Sequence, residues 1–342
     1  MALLDEIREQ PQIARRLLAE LPGDLAPLAD EVRGRGIGYA VVAARGTSDH
    51  AGIYAQYALG GRAGLPVALA TPSLTSRYET PPRMAGGLVI GISQSGRSPD
   101  VVAVVAEATR QGAVTAAITN EPESPLAEAA NHVLSLRAGR ERSIAATKTY
   151  TAELLVIAML AAALTDDEAA GADLQRVPDA QASALSASER ARELAESYAG
   201  MSGCVVLGRG YNLATAFEWA LKLKELAYVH AQAYSTADFQ HGPVASLGYG
   251  DHVLAILADG PLAADLSELV AGLRRDRHAR IITLAGRPTS GVDHLPFPDE
   301  LPEWLSPMVD IVPAQLFTAA LAEAKGLDTE RPRGLQKVTL TH

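Results

Sequence analysis

The 342-residue chain contains a single cysteine, Cys204. An intrachain disulfide is therefore excluded. The apolar setting Gly203-Cys204-Val205-Val206-Leu207 points to a core thiol rather than a nucleophile, and a reducing, cytoplasmic location is expected. Metal-binding spacing is missing as well: the eight histidines are scattered, with no HxxH, HExxH or CxxC. No GxGxxG follows a strand pattern, so the dinucleotide fingerprint is absent, and no cofactor or metal is expected. The formal net charge is −10 and no Lys/Arg block occurs, which argues against a nucleic-acid partner, since phosphate neutralisation supplies most of that affinity. No apolar run reaches the roughly 20 residues of a membrane span. The most apolar stretch, Leu154 to Leu164, is flanked by Glu153 and Asp166 and reads as a buried helix. The opening Met1-Ala2-Leu3-Leu4-Asp5-Glu6 lacks the basic-then-apolar order of a signal peptide.

What is present is an ordinary globular composition, 48% hydrophobic and 20% charged, long enough for two full cores. A helical opening from Leu3 to Arg33 is followed by short apolar runs separated by helical stretches. The pattern predicts strands at Ile37–Ala44, Val67–Ala70, Leu88–Ile92, Val114–Thr119 and His132–Leu136. After an Asp-, Ala- and Ser-rich segment from Thr165 to Arg190 it restarts, with strands at Cys204–Leu207, Val253–Leu257 and Arg280–Leu284 and a helix from Asn212 to Tyr228. Such alternation implies α/β architecture with parallel sheets covered on both faces. Ala43-Ala44-Arg45-Gly46 is echoed by Leu207-Gly208-Arg209-Gly210, so two tandem α/β units are expected: 1–165, with the N-terminal helix, and 190–330, followed by a tail at 331–342.

The densest chemistry lies at Ser93-Gln94-Ser95-Gly96-Arg97-Ser98, between an apolar strand and a helix with Pro99 in its first turn. Three hydroxyls and an amide there meet unpaired backbone N–H groups and the positive end of a helix dipole, which favours an anion such as phosphate. Ser, Thr and Gly are also common as simple helix caps in strand-to-helix turns. Glu225 follows Lys222 by three residues on one helix, so the pair shares a face. The plain alternative is a solvated salt bridge.

This turn, together with Ile144-Ala145-Ala146-Thr147-Lys148-Thr149-Tyr150-Thr151, Gly208-Arg209-Gly210-Tyr211, the block Ala220 to Ala231, Phe239-Gln240-His241-Gly242-Pro243 and Pro332-Arg333-Gly334-Leu335-Gln336-Lys337, resembles the sugar isomerase (SIS) domain family. The likeness is strongest to the isomerase half of glutamine–fructose-6-phosphate aminotransferases and extends to stand-alone deaminase/isomerases. It implies two tandem SIS domains, each a flavodoxin-like three-layer sandwich. It also implies that Ser93, Gln94, Ser95 and Ser98 cradle a sugar phosphate, and that Thr47, Ser48 and Ala146 border the sugar. Glu225 then moves a proton between C1 and C2, helped by Lys222, and His241 opens the ring, reaching in from a second subunit of a homodimer. The tail completes the active site, and Lys337 matches a lysine able to form a Schiff base with an open-chain ketose. Three positions depart from the family pattern: Arg97 replaces an acidic residue, Ala146 replaces serine, and the tail reads Gly334-Leu335-Gln336-Lys337. The glutaminase domain with its leading cysteine has no counterpart in the sequence.

The resemblance leads to a deaminase/isomerase converting glucosamine 6-phosphate to fructose 6-phosphate and ammonia. A lyase or dehydratase eliminating water from N-acetylglucosamine 6-phosphate is the first alternative, because loss of the hydroxyl at Ala146 leaves room for a larger group at C2. A non-catalytic phosphosugar-binding protein is the second. Neither nucleic acid nor membrane is an expected partner.

Overall fold

The structure, a computed structural model, describes residues 2–165, 167–298 and 301–337. Of the tail expected at 331–342, residues 338–342 lie outside the described residues. The chain divides into two compact units. One comprises Gln12–Glu141 and Lys148–Gln175 with the stretch from Gln336; the other comprises Arg176–Leu335 with Arg142–Thr147 and the stretch up to Pro11.

The first unit carries β1 (Ala40–Ala43), β2 (Val67–Leu69), β3 (Leu88–Ile92), β4 (Val114–Thr119) and β5 (His132–Ser135). They form a sheet of order β2-β1-β3-β4-β5 with every pairing parallel. β3 and β4 are buried at every residue, as a sheet covered on both faces requires. The helix Pro99–Arg110 covers one face through Val101, Val104, Val105 and Ala108, spaced as one helical stripe. The helix Lys148–Ala163 is buried along nearly its whole length, matching the buried helix expected around Leu154. No helix among the described residues is long and apolar enough to cross a membrane.

The second unit carries β6 (Gly203–Gly208), β7 (His230–Ser235), β8 (His252–Leu257), β9 (Arg280–Ala285) and β10 (Asp293–Pro296) in the order β10-β9-β8-β6-β7, again parallel. Counted within each unit, both sheets run 2-1-3-4-5, the flavodoxin-like order, with the chain reversing direction between the first and third strands. β7 and β10 escape a search for apolar runs because they are edge strands with a single neighbour, and half-exposed side chains break the hydrophobic pattern. The segment from 165 to 190 is largely helical, through Glu168–Leu174 and Val177–Ala184. The opening helical stretch is two helices, Ala2–Glu20 and Pro22–Gly34, with Pro22 at the start of the second.

Cys204 is buried in β6, and burial pushes its thiol up to about 12. At pH 8 its thiolate fraction falls about a thousandfold below that of a free cysteine, so alkylation by iodoacetamide is expected to follow global unfolding. Rapid labelling of the native protein would contradict this assignment.

Candidate functional site

Ser93 leaves β3 still donating its N–H to Ile118 O (3.1 Å), one step beyond the ladder. The chain then turns sharply. Gly96 N donates to Ser93 O (3.1 Å) and to Ser93 Oγ (3.2 Å), and Arg97 N approaches Ser95 Oγ at 3.3 Å. Gln94 O accepts from Asn120 N (3.1 Å) and Gly96 O from Leu126 N (3.0 Å), which fixes the turn against the end of β4. Gly96 has φ +62°, and a Cβ there would lie 1.9 Å from Ser124 Oγ. Only glycine fits. Ser98 occupies the cap position of the helix Pro99–Arg110, yet its hydroxyl caps no backbone N–H and instead stands 3.4 Å from Ser93 Oγ. Two hydroxyls thus meet at the positive end of a 12-residue helix.

The neighbouring turn after β1 is tied to this one. Arg45 Nε donates to Asp100 Oδ2 (2.7 Å), and Asp100 is buried in the first turn of the helix Pro99–Arg110. Thr47 is half-buried at the start of the helix Thr47–Ala63. Ser48 is buried and donates to Glu153 Oε1 (2.8 Å), so its hydroxyl serves the packing of Thr47–Ala63 on Lys148–Ala163. Next to it, burial raises the Asp49 carboxyl above its ordinary value, against the opposing influence of His50 and Arg45. In the same unit Lys148 is buried and donates to Arg140 O (2.9 Å), a structural bond. Glu141 accepts from Thr149 N (3.2 Å), Thr149 Oγ1 (2.8 Å) and Lys337 Nζ (2.7 Å).

In the second unit the helix Leu213–Ala227 bears Glu218, Lys222 and Glu225. Lys222 Nζ lies 2.5 Å from Glu225 Oε2 and 3.4 Å from Glu218 Oε1. The Lys222 side chain is 1% exposed, Glu218 0% and Glu225 21%, so this is not the solvated pair that the spacing alone suggests. Burial pulls the Lys222 ammonium down, but the two carboxylates outweigh it and hold the group above its ordinary value, a fixed cation. Glu225 is the one carboxylate of the three-residue cluster that opens toward solvent. His241 follows the short helix Thr236–Gln240 and is exposed; among the described residues its ring makes no hydrogen bond. Arg333 N donates to Tyr228 OH (2.8 Å) and its guanidinium lies 4.1 Å over the Tyr228 ring, docking the start of the tail at the end of the Glu225 helix. Ala146, in the stretch Arg142–Thr147 of this unit, is half-buried.

Open α/β sheets bind ligands at the carboxyl ends of the strands where the order reverses. The two sheets differ there. A Cβ on Gly46, after β1, would meet nothing within 4 Å. On Gly210, its counterpart after β6, a Cβ would lie 3.1 Å from Glu303 Oε1, and on Gly260, after β8, 2.5 Å from Glu303 Oε2. Glu303 thus stands close to two turns of the second sheet, and burial pushes its carboxyl upward. The turn after β6 also borders a cavity lined by Arg209, Gln240 and Asp265.

Sequence reading located the turn, Lys222 and Glu225 but missed Asp100, Glu141, Glu153 and Glu218. Glu218 had a signal, the i,i+4 spacing to Lys222; the others pair across 8 to 196 residues of chain, which no local pattern reveals. Among the described residues no group of three His, Cys, Asp or Glu side chains could hold a metal ion.

The sequence pattern of the SIS domain family matches residues 38–163 and 203–322. A glutamine–fructose-6-phosphate aminotransferase [isomerizing] from Gloeobacter violaceus is 35% identical over 98% of the chain, and the chain spans 58% of that relative's length. A Silicibacter pomeroyi protein assigned to the phosphosugar isomerases has a crystal structure that matches with TM-score 0.88 and 34% identity, covering 96% of this chain and 99% of that one. The C-terminal domain of glucosamine-fructose-6-phosphate aminotransferase from Francisella tularensis matches with TM-score 0.86 and 27% identity, covering 97% and 98%.

Proposed function

Because the chain belongs to the SIS domain family, we propose that it is an isomerase-type enzyme of phosphorylated sugars and that its reaction is the conversion of glucosamine 6-phosphate to fructose 6-phosphate and ammonia. The single observation that carries the catalytic reading is the Glu218–Lys222–Glu225 cluster, because the buried Lys222 ammonium holds Glu225, the one carboxylate of the three that reaches solvent, in a fixed position where it can meet a substrate. In this reading Ser93, Gln94, Ser95 and Ser98 hold the phosphate at the helix terminus, and Thr47 meets a sugar hydroxyl. Ser48, committed to Glu153, supports that turn from behind. His241, exposed and without a partner among the described residues, opens the ring; we assign it to the site of a second copy of the chain. Glu225 takes the proton from C2 of the open-chain aldehyde and returns it to C1, while Lys222 neutralises the carboxylate and the charge developing on oxygen. The resulting C2 imine adds water and loses ammonia, leaving the ketose. Incubation with glucosamine 6-phosphate, followed by coupled assays for ammonia and fructose 6-phosphate, is expected to show both in equal amounts. Production of neither would sink the reading.

Ala146 favours a second reading. A methyl group where the resembled synthases carry a hydroxyl leaves space for an acetamido group, and an acetylated nitrogen does not leave as ammonia. The same base at C2 then drives loss of the 3-hydroxyl from N-acetylglucosamine 6-phosphate. Its mark is a product lighter by one water. A purely ligand-binding role leaves Glu225 and His241 without a purpose.

A further inference from the structure

We propose that Arg45 is a positioning residue: its ion pair with Asp100 fixes the turn after β1 against the hydroxyl turn after β3, so that one substrate is gripped at its sugar and at its phosphate together. This deepens the phosphorylated-sugar reading above and rests on it.

β1 and β3 are parallel neighbours, in register from Ala40 beside Leu88 to Ala43 beside Gly91. Their turns leave the sheet side by side, and each leads into a helix: Thr47–Ala63, of 17 residues, and Pro99–Arg110, of 12. Two positive dipole ends thus stand together, and each helix carries an aspartate in its first turn, Asp49 and Asp100. Arg45 acts on both. Its Nε donates to Asp100 Oδ2 at 2.7 Å, while Asp100 Oδ1 accepts the N–H of Val101 at 2.9 Å, so both oxygens of that carboxylate are held. Asp49 feels Arg45 through charge: burial raises the Asp49 carboxyl, and His50 and then Arg45 act against burial.

The two ends of the pair differ in burial. The Asp100 side chain is 2% exposed and that of Arg45 48%. A fully exposed pair contributes little. Here, loss of Arg45 takes the guanidinium from a buried carboxylate, and the helix terminus must adjust to it. The pair also sits beside both proposed contacts. Arg45 is separated from Thr47 by Gly46 alone, and Asp100 from Ser98 by Pro99 alone. Gly46 is held at φ +57° and ψ −128°, a conformation that favours glycine, and Pro99 has a fixed φ. Little slack is left between the ion pair and the residues that it aligns.

Two probes separate this role from others. Inorganic phosphate engages the hydroxyl turn, whereas glucosamine 6-phosphate engages both turns. Arg45→Gln is expected to leave the dissociation constant for inorganic phosphate within about threefold of the wild-type value, to weaken glucosamine 6-phosphate about tenfold or more, and to lower kcat/KM about tenfold to a hundredfold, as a misplacement of about 1 Å does. Asp100→Asn is expected to give the same pattern. The double variant Arg45→Gln/Asp100→Asn leaves neither charge of the pair without the other, so it keeps the test readable if a single variant fails to fold. Its losses are expected to be no larger than those of the more affected single variant, as for two residues that act through one bond. Equal weakening of both ligands would make Arg45 a direct phosphate contact. Unchanged affinity and turnover in the double variant would make the pair a surface feature, and losses that add would make the two residues independent. Each of these three results overturns the proposal. If the wild-type protein binds both ligands and releases no ammonia, the deaminase reading falls while the two affinities still decide the role of Arg45. A wild-type protein that binds neither ligand removes the phosphate site and this role with it.

Discussion

Glu225→Gln is expected to lower kcat on glucosamine 6-phosphate by about a hundredfold to ten-thousandfold, the range for removing a positioned proton-transfer group. The reason is geometric. Glu225 is the member of the buried cluster with access to solvent, and Lys222, 2.5 Å away, fixes the position of its carboxylate. Glutamine preserves the shape and one hydrogen bond to Lys222, and Glu218 still faces the ammonium at 3.4 Å. The variant should therefore fold, keep its thermal stability within a few degrees, and still gain stability on adding the sugar phosphate. The informative result is this separation of turnover from binding, read from steady-state kinetics beside a thermal-shift titration. Undiminished turnover would remove Glu225 from the mechanism. Lost turnover together with lost binding would assign it to the substrate contact surface.

Gly96→Ala is expected to act on the opposite half of that separation. The new methyl would lie 1.9 Å from Ser124 Oγ, and the residue would be held at φ +62°. Overpacking of this kind costs about 1–3 kcal/mol, with a further cost of about 1 kcal/mol for the left-handed backbone. The turn can escape only by shifting the backbone that aims Ser93, Ser95 and Ser98. A displacement of about 1 Å at a binding group typically costs about a hundredfold in kcat/KM. Thermal shift with inorganic phosphate and with glucosamine 6-phosphate should show the stabilisation by both ligands reduced together. Unchanged stabilisation by both would place the phosphate site elsewhere.

The two variants also mark how far sequence patterns reach. Ser93–Ser98 is legible because its parts are consecutive: an apolar run, hydroxyls around a glycine, a proline at a helix start. Glu225 and Lys222 are legible as neighbours on one helical face, but spacing cannot distinguish a solvated pair from a buried one. That distinction depends on what covers the helix, including the Trp219–Phe317 contact at 6.0 Å between Leu213–Ala227 and Pro307–Ala324. Ser48 shows the limit from the other side. Its position in the turn suggests a sugar contact, whereas its hydroxyl is bound to Glu153, 105 residues away.

What the sequence determined by itself was the class of architecture and the place of the hydroxyl turn. Apolar periodicity selects parallel sheets with covered faces, the repeated Arg-Gly turn marks two related units, and the hydroxyl turn stands at the end of a strand, where the anion site is proposed. What only the tertiary structure decided was which charged residues are buried and what the tail lysine faces. The physical reason is that propensity and periodicity are properties of neighbours along the chain, while desolvation and ion pairing depend on whatever the fold brings alongside. Glu303 standing beside the turns after β6 and β8 and Glu141 meeting Lys337 are both decided by the folded chain alone.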